Sequence, residues 1–409
     1  MTALTKNKQL IYLFLCNLSI LFIGFGLFPL LPLYAAEFGA SASFIGFYLA
    51  ITYIAISVGS ILAGQFSERL PRKTLFVTAG LTGVPALFLL GQAQALWQVV
   101  VLTALIWFAG GIGLSISNVL TGLQTSSAIR GKVFGMLALA SPLGALIGGL
   151  TVGRLVEWGG YSLMFTGLAI VWTMWPALAL TKVKDVPTCA PPAISATKPA
   201  QAAASSHRPG TVFLLLLLTV LLASMTVSVE RIGLSLAMKG EQFSAGDVST
   251  ANAIGGLVTI PVTLLIGILS DKLGRKRFLV LGYLVAMAGA VILIGARGLW
   301  QFWVVSSLVL ASRSVITSMS PAYATDLLSR RSLGKALPLV GTMNWVSGVI
   351  GFAGAGYMLD MFGPASLYGI AALASFIGIM ILAFLPASLR PRPAMPVPGT
   401  KEALQTTGD

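Results

Sequence analysis

The feature that most constrains this chain is a series of long apolar runs separated by short polar segments. Each run holds roughly 20 residues, the length that an α-helix needs to cross the ~30 Å hydrocarbon core of a membrane. Only 9% of the residues are charged, against about 25% in a typical soluble domain. The runs lack the alternation of apolar and polar residues that marks the ~10-residue strands of a membrane β-barrel. We therefore predict an all-α membrane protein with twelve transmembrane helices. The predicted spans, numbered 1 to 12 in chain order, are residues 10–35, 44–66, 75–93, 98–121, 133–156, 162–181, 212–237, 248–268, 278–296, 302–324, 336–358 and 366–386.

The distribution of positive charge predicts the orientation of the chain in the membrane. With an even number of spans, both termini lie on one side, and most of the 26 Lys and Arg residues lie on that side too. Only Arg154, Lys239 and Arg297 lie on the other side. Because cytoplasmic segments carry the excess of cations, both termini of this multi-pass protein of the cell membrane are predicted to be cytoplasmic. The net charge of +14 is thus expected to direct insertion, and no nucleic-acid partner is predicted.

The two halves of the chain repeat one another at a constant offset of 203 residues. The tripeptide Leu-Trp-Gln occurs at 96–98 and again at 299–301, and Glu157 corresponds to Asp360. A register held across several spans indicates two parallel repeats, each with an even number of helices. We predict two pseudo-symmetric six-helix bundles.

The segment between the halves has a different composition. It is rich in Ala, Pro and Ser, so it has little to bury and is predicted to be disordered. The predicted organisation is an N-terminal bundle at 1–181, a cytoplasmic linker at 182–210, a C-terminal bundle at 211–386 and a cytoplasmic tail at 387–409.

A charged turn follows span 2, and a second copy follows span 8. The copies read GQFSERLPRKTLF at 64–76 and GILSDKLGRKRFL at 267–279. With the doubled six-span topology, they resemble the major facilitator superfamily, whose turn has the pattern Gly-x-x-x-Asp-Arg/Lys-x-Gly-Arg-Lys/Arg. The second copy matches this pattern with Gly267, Asp271, Lys272, Gly274, Arg275 and Lys276. The first copy has Gly64, Glu68, Arg69, Arg72 and Lys73, with glutamate for the aspartate and Pro71 for the second glycine.

The resemblance implies a major facilitator fold and a gating role for these turns. Their acid and cations are expected to bond neighbouring helix ends and to hold one face of a carrier closed, and rocking between states would break those bonds. Asp326, at the end of span 10, is expected to be an acid that pairs with the second turn. The alternative is that the cations only fix orientation.

The resemblance also implies that spans 1, 4, 7 and 10 line a central cavity. Ionisable residues inside a membrane are costly and mark function by default. Span 7 contains Glu230 and Arg231, and span 10 contains Arg313. Glu230 is a candidate proton carrier, or else a fixed partner of an arginine. Arg313 could bind an anionic substrate group, or else pair with Glu230 or with helix carbonyls.

The remaining cavity candidates are polar and aromatic. They predict an apolar, aromatic wall facing a charged one, which suits an amphipathic or cationic lipophile better than a sugar. Packing in the core is the alternative for the two candidates of span 11. The set consists of Asn17 in span 1, Trp107 and Asn118 in span 4, and Asn344 and Trp345 in span 11.

Span 5 carries a glycine series that has two interpretations. Small residues at every fourth position let helices approach closely, which predicts packing between the halves. Drug–proton antiporters of the resembled family have a similar glycine pattern in this span. The residues are Gly135, Gly144, Gly148, Gly149 and Gly153.

These features favour a secondary active transporter, most similar to the drug–proton antiporter branch, that exports a lipophilic or amphipathic small molecule in exchange for protons. The alternative is a carrier of an organic anion held by Arg231 and Arg313, and a membrane-embedded enzyme or sensor is a remote third. His207 is the only histidine, and no phosphate-cradling loop is present. We therefore predict no enzyme, no cofactor and no metal. The expected partners are the substrate, protons and the lipid bilayer, and the protein is expected to be a monomer.

Overall fold

The computed structural model describes residues 8–125, 129–184, 210–328 and 333–386. The described residues form helices joined by short turns, and no strand occurs among them. Most of the predicted linker, residues 185–209, and the predicted tail lie outside this part of the chain. The side chains of residues 130–132, 267–268, 271–273 and 333–335, which include the predicted gating residues Asp271 and Lys272, also lie outside the described part of the chain.

Within these described ranges, ten helical segments are long and apolar enough to cross a membrane. The first is interrupted by a 3₁₀ turn at Phe28–Leu30, where Pro29 has no N–H to donate. Two segments, Val133–Thr181 and Ala336–Phe384, are 49 residues long. The others are Lys8–Glu37, Ala42–Phe66, Arg72–Leu90, Leu96–Gln124, Thr211–Gly240, Ala245–Ile266, Arg275–Ile294 and Leu299–Leu327.

The first 49-residue segment reverses direction at Gly160. This residue has φ +69°, a conformation that side chains with a Cβ rarely adopt. Before it, Gly148 packs on Gly26 of span 1. After it, the carbonyl oxygen of Trp175 accepts a hydrogen bond from the thiol of Cys16 at 3.8 Å. Gly144 likewise lies against Leu21 of span 1, and the carbonyl of Val171 accepts a hydrogen bond from Ser19 at 3.2 Å. Relative to span 1, residue numbers therefore rise together before Gly160 and run oppositely after it, so span 6 is antiparallel to span 5.

The second 49-residue segment reverses at Gly363, the equivalent position in the second repeat, with φ +76°. Before it, the side chain of Asn344 accepts a hydrogen bond from Ser224 at 3.0 Å. After it, the Tyr368 hydroxyl donates to the carbonyl of Gly233 at 3.1 Å. Divided at the two glycines, the ten candidate helices become twelve segments, the number that the sequence predicts. An unbroken 49-residue helix would be about 74 Å long, which is far more than a membrane needs.

The repeat in the sequence is also a repeat of contacts. At the end of the molecule that carries Lys8 and Pro386, the first and last described residues, here called the inner end, the Lys73 ammonium donates to the carbonyl of Leu180 at 2.8 Å. The Lys276 ammonium donates to the carbonyl of Ala383 at 3.0 Å. Donor and acceptor are each displaced by 203 positions, so the two bundles are built alike.

The two halves touch closely at the opposite end, the outer end. Gly46 of span 2 lies against the backbone of Phe352 in span 11, and Gly153 of span 5 lies against the backbone of Ala245 in span 8. A Cβ atom at either glycine would collide with the facing backbone. These contacts leave no passage between spans 2 and 11 or between spans 5 and 8 at the outer end.

Toward the inner end the halves separate. A gap of about 1000 Å³ lies between spans 2 and 11. A second gap, of about 590 Å³, lies between span 5 on one side and spans 8 and 10 on the other. The space between the bundles is therefore closed at the outer end and open toward the inner end.

Candidate substrate-binding cavity

A cavity lies between the two halves near the middle of their helices, with about 640 Å³ of empty space when the part open to solvent is included. The N-terminal half contributes most of the wall, from spans 1, 2, 4 and 6, and the C-terminal half contributes one residue each from spans 7, 10 and 11. The lining is Ile20, Leu21, Ile23, Gly24, Phe25, Phe28, Tyr53, Ile56, Ile106, Trp107, Gly110, Leu114, Trp172, Arg231, Arg313 and Trp345.

Arg231 projects from span 7 onto the aromatic wall of the other half. Its guanidinium carbon is 3.7 Å from the ring centroid of Phe28. Its Nη1 atom donates a hydrogen bond to the Tyr53 hydroxyl at 2.5 Å. Stacking on an aromatic face and a hydrogen bond both favour a charged guanidinium at this position.

Arg313 lies midway along its helix, Leu299–Leu327, and faces the same wall. Its guanidinium carbon is 5.6 Å from the ring centroid of Phe25. The guanidinium carbon of Arg231 is 5.9 Å from that same ring. Both guanidinium groups therefore lie near the ring of Phe25, and the lining of the cavity carries two positive charges.

Glu230 does not line this cavity. Successive helix residues point about 100° apart, and Glu230 faces the interior of the C-terminal half, where it is fully buried. Its carboxyl group lies against Gly289 of span 9, where a Cβ atom would collide with it. Among the described residues no side chain bonds its two oxygens, and the nearest polar group is the backbone N–H of Ala290. The ion pair between Glu230 and Arg313, one of the two alternatives from the sequence, is not formed.

The other cavity candidates divide into two groups. Trp107 and Trp345 line the cavity, and Asn344 lies beside Arg313 in a smaller adjoining pocket. Asn17 is buried in the N-terminal half and Asn118 is exposed, and neither lines the cavity. Each asparagine shares a helix face with a lining residue, Asn17 with Leu21 and Asn118 with Leu114, but it lies one turn nearer the inner end and so outside the cavity.

Three lining residues have large roles that the sequence analysis did not assign. Phe25 and Phe28 lie one helical turn apart in span 1, and that spacing was a usable signal. Tyr53 belongs to span 2, which is outside the set of spans expected to line the cavity. Its contact with Arg231 depends on the tertiary arrangement, and no local pattern indicates it.

The charged turns contact helix ends within their own halves. Arg275 Nη1 donates to Asp326 Oδ1 at 2.8 Å and to the carbonyl of Ala322 at 2.8 Å. Lys276 donates to the carbonyl of Leu385 at 2.6 Å. In the first turn Glu68 and Arg69 are exposed. Within the described residues no hydrogen bond or ion pair joins a turn to the opposite half, in agreement with the separation at the inner end.

The span 5 glycines fall into three groups, of which two make close helix contacts. Gly149 and Gly153 contact span 8, between the halves. Gly144 and Gly148 contact span 1 within the N-terminal half. Gly135 has no atom within 4 Å of a Cβ built on it, so its predicted packing role was wrong.

Comparison with known proteins gives a family and several relatives. The model of the Major Facilitator Superfamily matches residues 13–238 and 216–407. "Multidrug resistance protein MdtG" of Klebsiella pneumoniae (strain 342) is 25% identical over 272 residues, covering 63% of this chain and 64% of the relative. The protein of the same name from Proteus mirabilis (strain HI4320) is 26% identical over 337 residues, covering 78% and 81%. The first of these alignments thus spans slightly less than two thirds of the relative's length.

Two solved structures have a similar fold. One is a bacterial homolog of the human lysosomal transporter Spinster in an inward-facing and occupied conformation, with a TM-score of 0.68 and 12% identity over 93% of this chain and 94% of that one. The other is a variant of the peptide transporter POT in complex with alafosfalin, with a TM-score of 0.71 and 14% identity over 92% and 94%. At these identities the similarity concerns the fold alone.

Proposed function

Because this chain belongs to the Major Facilitator Superfamily, we propose that it is a secondary active transporter that exports amphipathic or lipophilic small molecules across the cell membrane in exchange for protons. The observation that carries the proposal is the central cavity between two six-helix bundles, closed at one end and open at the other. The MdtG relatives are named multidrug resistance proteins, which agrees with an exporter of this kind.

The transport cycle follows from this geometry. Substrate enters the cavity from the inner end, which we propose to be cytoplasmic because of the positive charge there. The bundles then rock about the central site, so that the outer contacts open and the inner gaps close. The working unit is a single chain in the bilayer, and its chemistry is transport without enzymatic turnover.

Glu230 is the proposed proton carrier. Its carboxyl group is fully buried, and among the described residues it has no cation or side-chain hydrogen-bond partner and only the backbone N–H of Ala290 beside it. Burying an ionised carboxylate without a partner is very costly, whereas a neutral carboxyl group is tolerated. Gain and loss of a proton at Glu230 would therefore favour different packings of spans 7 and 9, and this couples the proton to the position of span 7.

The experiment uses everted membrane vesicles that are acidified inside. We expect an amphipathic fluorescent probe to accumulate in them only while the proton gradient is present. Glu230→Gln should abolish gradient-driven accumulation while the purified variant still binds the probe, because glutamine cannot release a proton. Glu241→Gln, at an exposed outer carboxylate, is the matched control. If Glu230→Gln accumulates the probe as the wild type does, with the same pH dependence, the proton assignment is wrong.

A further inference from the structure

The central cavity contains two arginines without any neutralising acid. Among the described residues the only ion pair is that of Arg275 with Asp326 at the inner end. Neither Arg231 nor Arg313 lies within 4 Å of a carboxylate in that part of the chain. Both are half-buried, and cations in the interior of a membrane protein are expensive unless something anionic joins them.

The two arginines also retain unused hydrogen-bond donors. A guanidinium has five N–H groups. Arg231 donates to Tyr53, and no hydrogen bond of Arg313 to a helix carbonyl occurs among the described residues. The alternative in which helix carbonyls satisfy Arg313 is therefore not observed. Because both guanidinium groups lie beside the Phe25 ring, an anionic group near that ring would be attracted by both.

A polar route leads from the inner end to Arg313. The gap between spans 5, 8 and 10 is lined by Arg313 itself and by several hydroxyl groups. Thr263 of span 8 and Ser314 of span 10 share a hydrogen bond of 3.0 Å on its C-terminal wall. A hydrated anionic head group could pass such a surface at lower cost than the apolar wall on the other side. The hydroxyl-bearing residues of the gap are Ser141, Thr259, Thr263, Ser314, Thr317 and Ser318.

The rest of the cavity fits an aromatic body. Trp107, Trp172 and Trp345 lie on its walls with Phe25 and Phe28. Large flat side chains provide contact area and stacking faces for a ring system. The cavity thus has an aromatic surface on one side and a pair of cations at its centre.

We infer that the cavity selects amphiphiles with an aromatic body and one anionic group, which binds between Arg231 and Arg313. This inference rests on the proposed function and adds the sign of the substrate's charge. A lipophilic cation, which the sequence also allowed, would meet two uncompensated positive charges. A neutral analogue would retain the stacking contacts and lose the attraction.

The test uses three probes with one ring system: 2-naphthalenesulfonate, 2-naphthamide and trimethyl-2-naphthylammonium. Binding to the purified wild-type protein is measured by calorimetry, and gradient-driven transport is measured in everted vesicles. We expect the sulfonate to bind at least about tenfold more tightly than the cation, since hydrogen bonds to charged groups contribute about 1.5–3 kcal/mol. The amide should lie between them. Equal or tighter binding of the cation would overturn the inference.

Substitutions at Arg313 test whether the anionic group of the probe binds there. Arg313→Gln should weaken sulfonate binding about tenfold or more and leave amide binding within about twofold. Arg313→Lys should retain part of the preference, because it keeps the charge but loses the planar set of donors. Arg297→Gln, at an exposed outer position, is the control. Equal weakening of sulfonate and amide in Arg313→Gln, with Arg313→Lys also impaired for both, would show a structural role and contradict the inference.

The outcomes also separate this inference from the proposed function. If none of the three probes is transported in response to the gradient, the proposed function fails and the inference fails with it. If the cation is transported and the sulfonate is not, the exporter stands and only the charge preference is wrong.

Discussion

Two neighbouring residues of span 7 have opposite surroundings. Arg231 faces the aromatic wall of the cavity, whereas Glu230 faces span 9. The sequence predicts that they diverge, because a helix turns about 100° per residue. It does not predict which of them faces the cavity, since that depends on the space left by Gly289. A residue without a side chain in one helix thus decides where a carboxyl group in another can lie.

A substitution at that glycine tests the arrangement at the residue scale. Gly289→Ala places a methyl group in collision with the Glu230 carboxyl group, so the carboxyl group must move. We expect gradient-driven transport to fall about tenfold, since overpacking a filled site costs about 1–3 kcal/mol. Gly295→Ala, where a Cβ meets nothing within 4 Å, is the control. Initial rates in everted vesicles give the comparison, and normal transport by Gly289→Ala would contradict the proposed link between spans 7 and 9.

At the element scale, span 5 makes two kinds of contact with one glycine series. Gly148 and Gly149 are adjacent in the chain, yet the first packs on span 1 and the second on span 8. The glycine spacing therefore predicts close helix packing and does not distinguish contacts within a half from contacts between halves. Within span 5, only the contact with span 8 has to separate when the outer end opens.

Span 5 supports a prediction about the conformational equilibrium. In Gly149→Val the new side chain would collide with the backbone of Ala253 and Ser249, so the closed outer end is destabilised. We expect a longer distance between spin labels at the exposed outer positions Gln92 and Arg297, one in each half. Gly135→Val, which meets no neighbour, should leave the distance distribution unchanged. An identical distribution in Gly149→Val and the wild type would show that this contact does not hold the end closed.

On the scale of the whole molecule, two carboxylates join the halves at the outer end in equivalent ways. Glu157 Oε1 accepts hydrogen bonds from Ser244 Oγ at 2.7 Å and from the N–H of Gly246 at 3.1 Å, at the start of span 8. Asp360 Oδ2 accepts from the N–H of Ser43 at 2.7 Å, at the start of span 2. Each acid of one half thus caps a helix N-terminus of the other, where negative charge is favourable.

Removing both charges should open the outer end. A carboxylate at a helix N-terminus contributes about 0.3–1 kcal/mol, so Glu157→Gln with Asp360→Asn should raise the ratio of open to closed molecules about 3- to 30-fold. The same pair of spin labels reports this ratio. Glu241→Gln, an exposed outer acid, is the control. If the double variant keeps the wild-type distance distribution, these caps do not stabilise the closed end.

The sequence predicted much of the architecture and less of the site. Hydrophobic length and the 203-residue repeat predicted the spans. Each span can be recognised from its own residues, because the bilayer sets its length, and from the corresponding residues of the other repeat. The site depends on which helices meet across the halves and on the depth at which they enclose a cavity. The first is why Tyr53 was missed, and the second is why Asn17 and Asn118 lie outside the cavity. The pairing of Asp326 with the second turn, which the sequence predicts, depends on residues within one half, and the Arg275–Asp326 pair lies there.

The reversals at Gly160 and Gly363 have a mechanical consequence. Each joins two helices without an intervening loop, so the connection has no slack. When span 5 tilts away from span 8, span 6 must move with it as one rigid unit. Spans 11 and 12 are joined in the same way and must also move together. A longer, flexible loop at either glycine would let one helix of the pair tilt while the other stayed in place. The movement would then not be transmitted to the helices on the far side of the bundle.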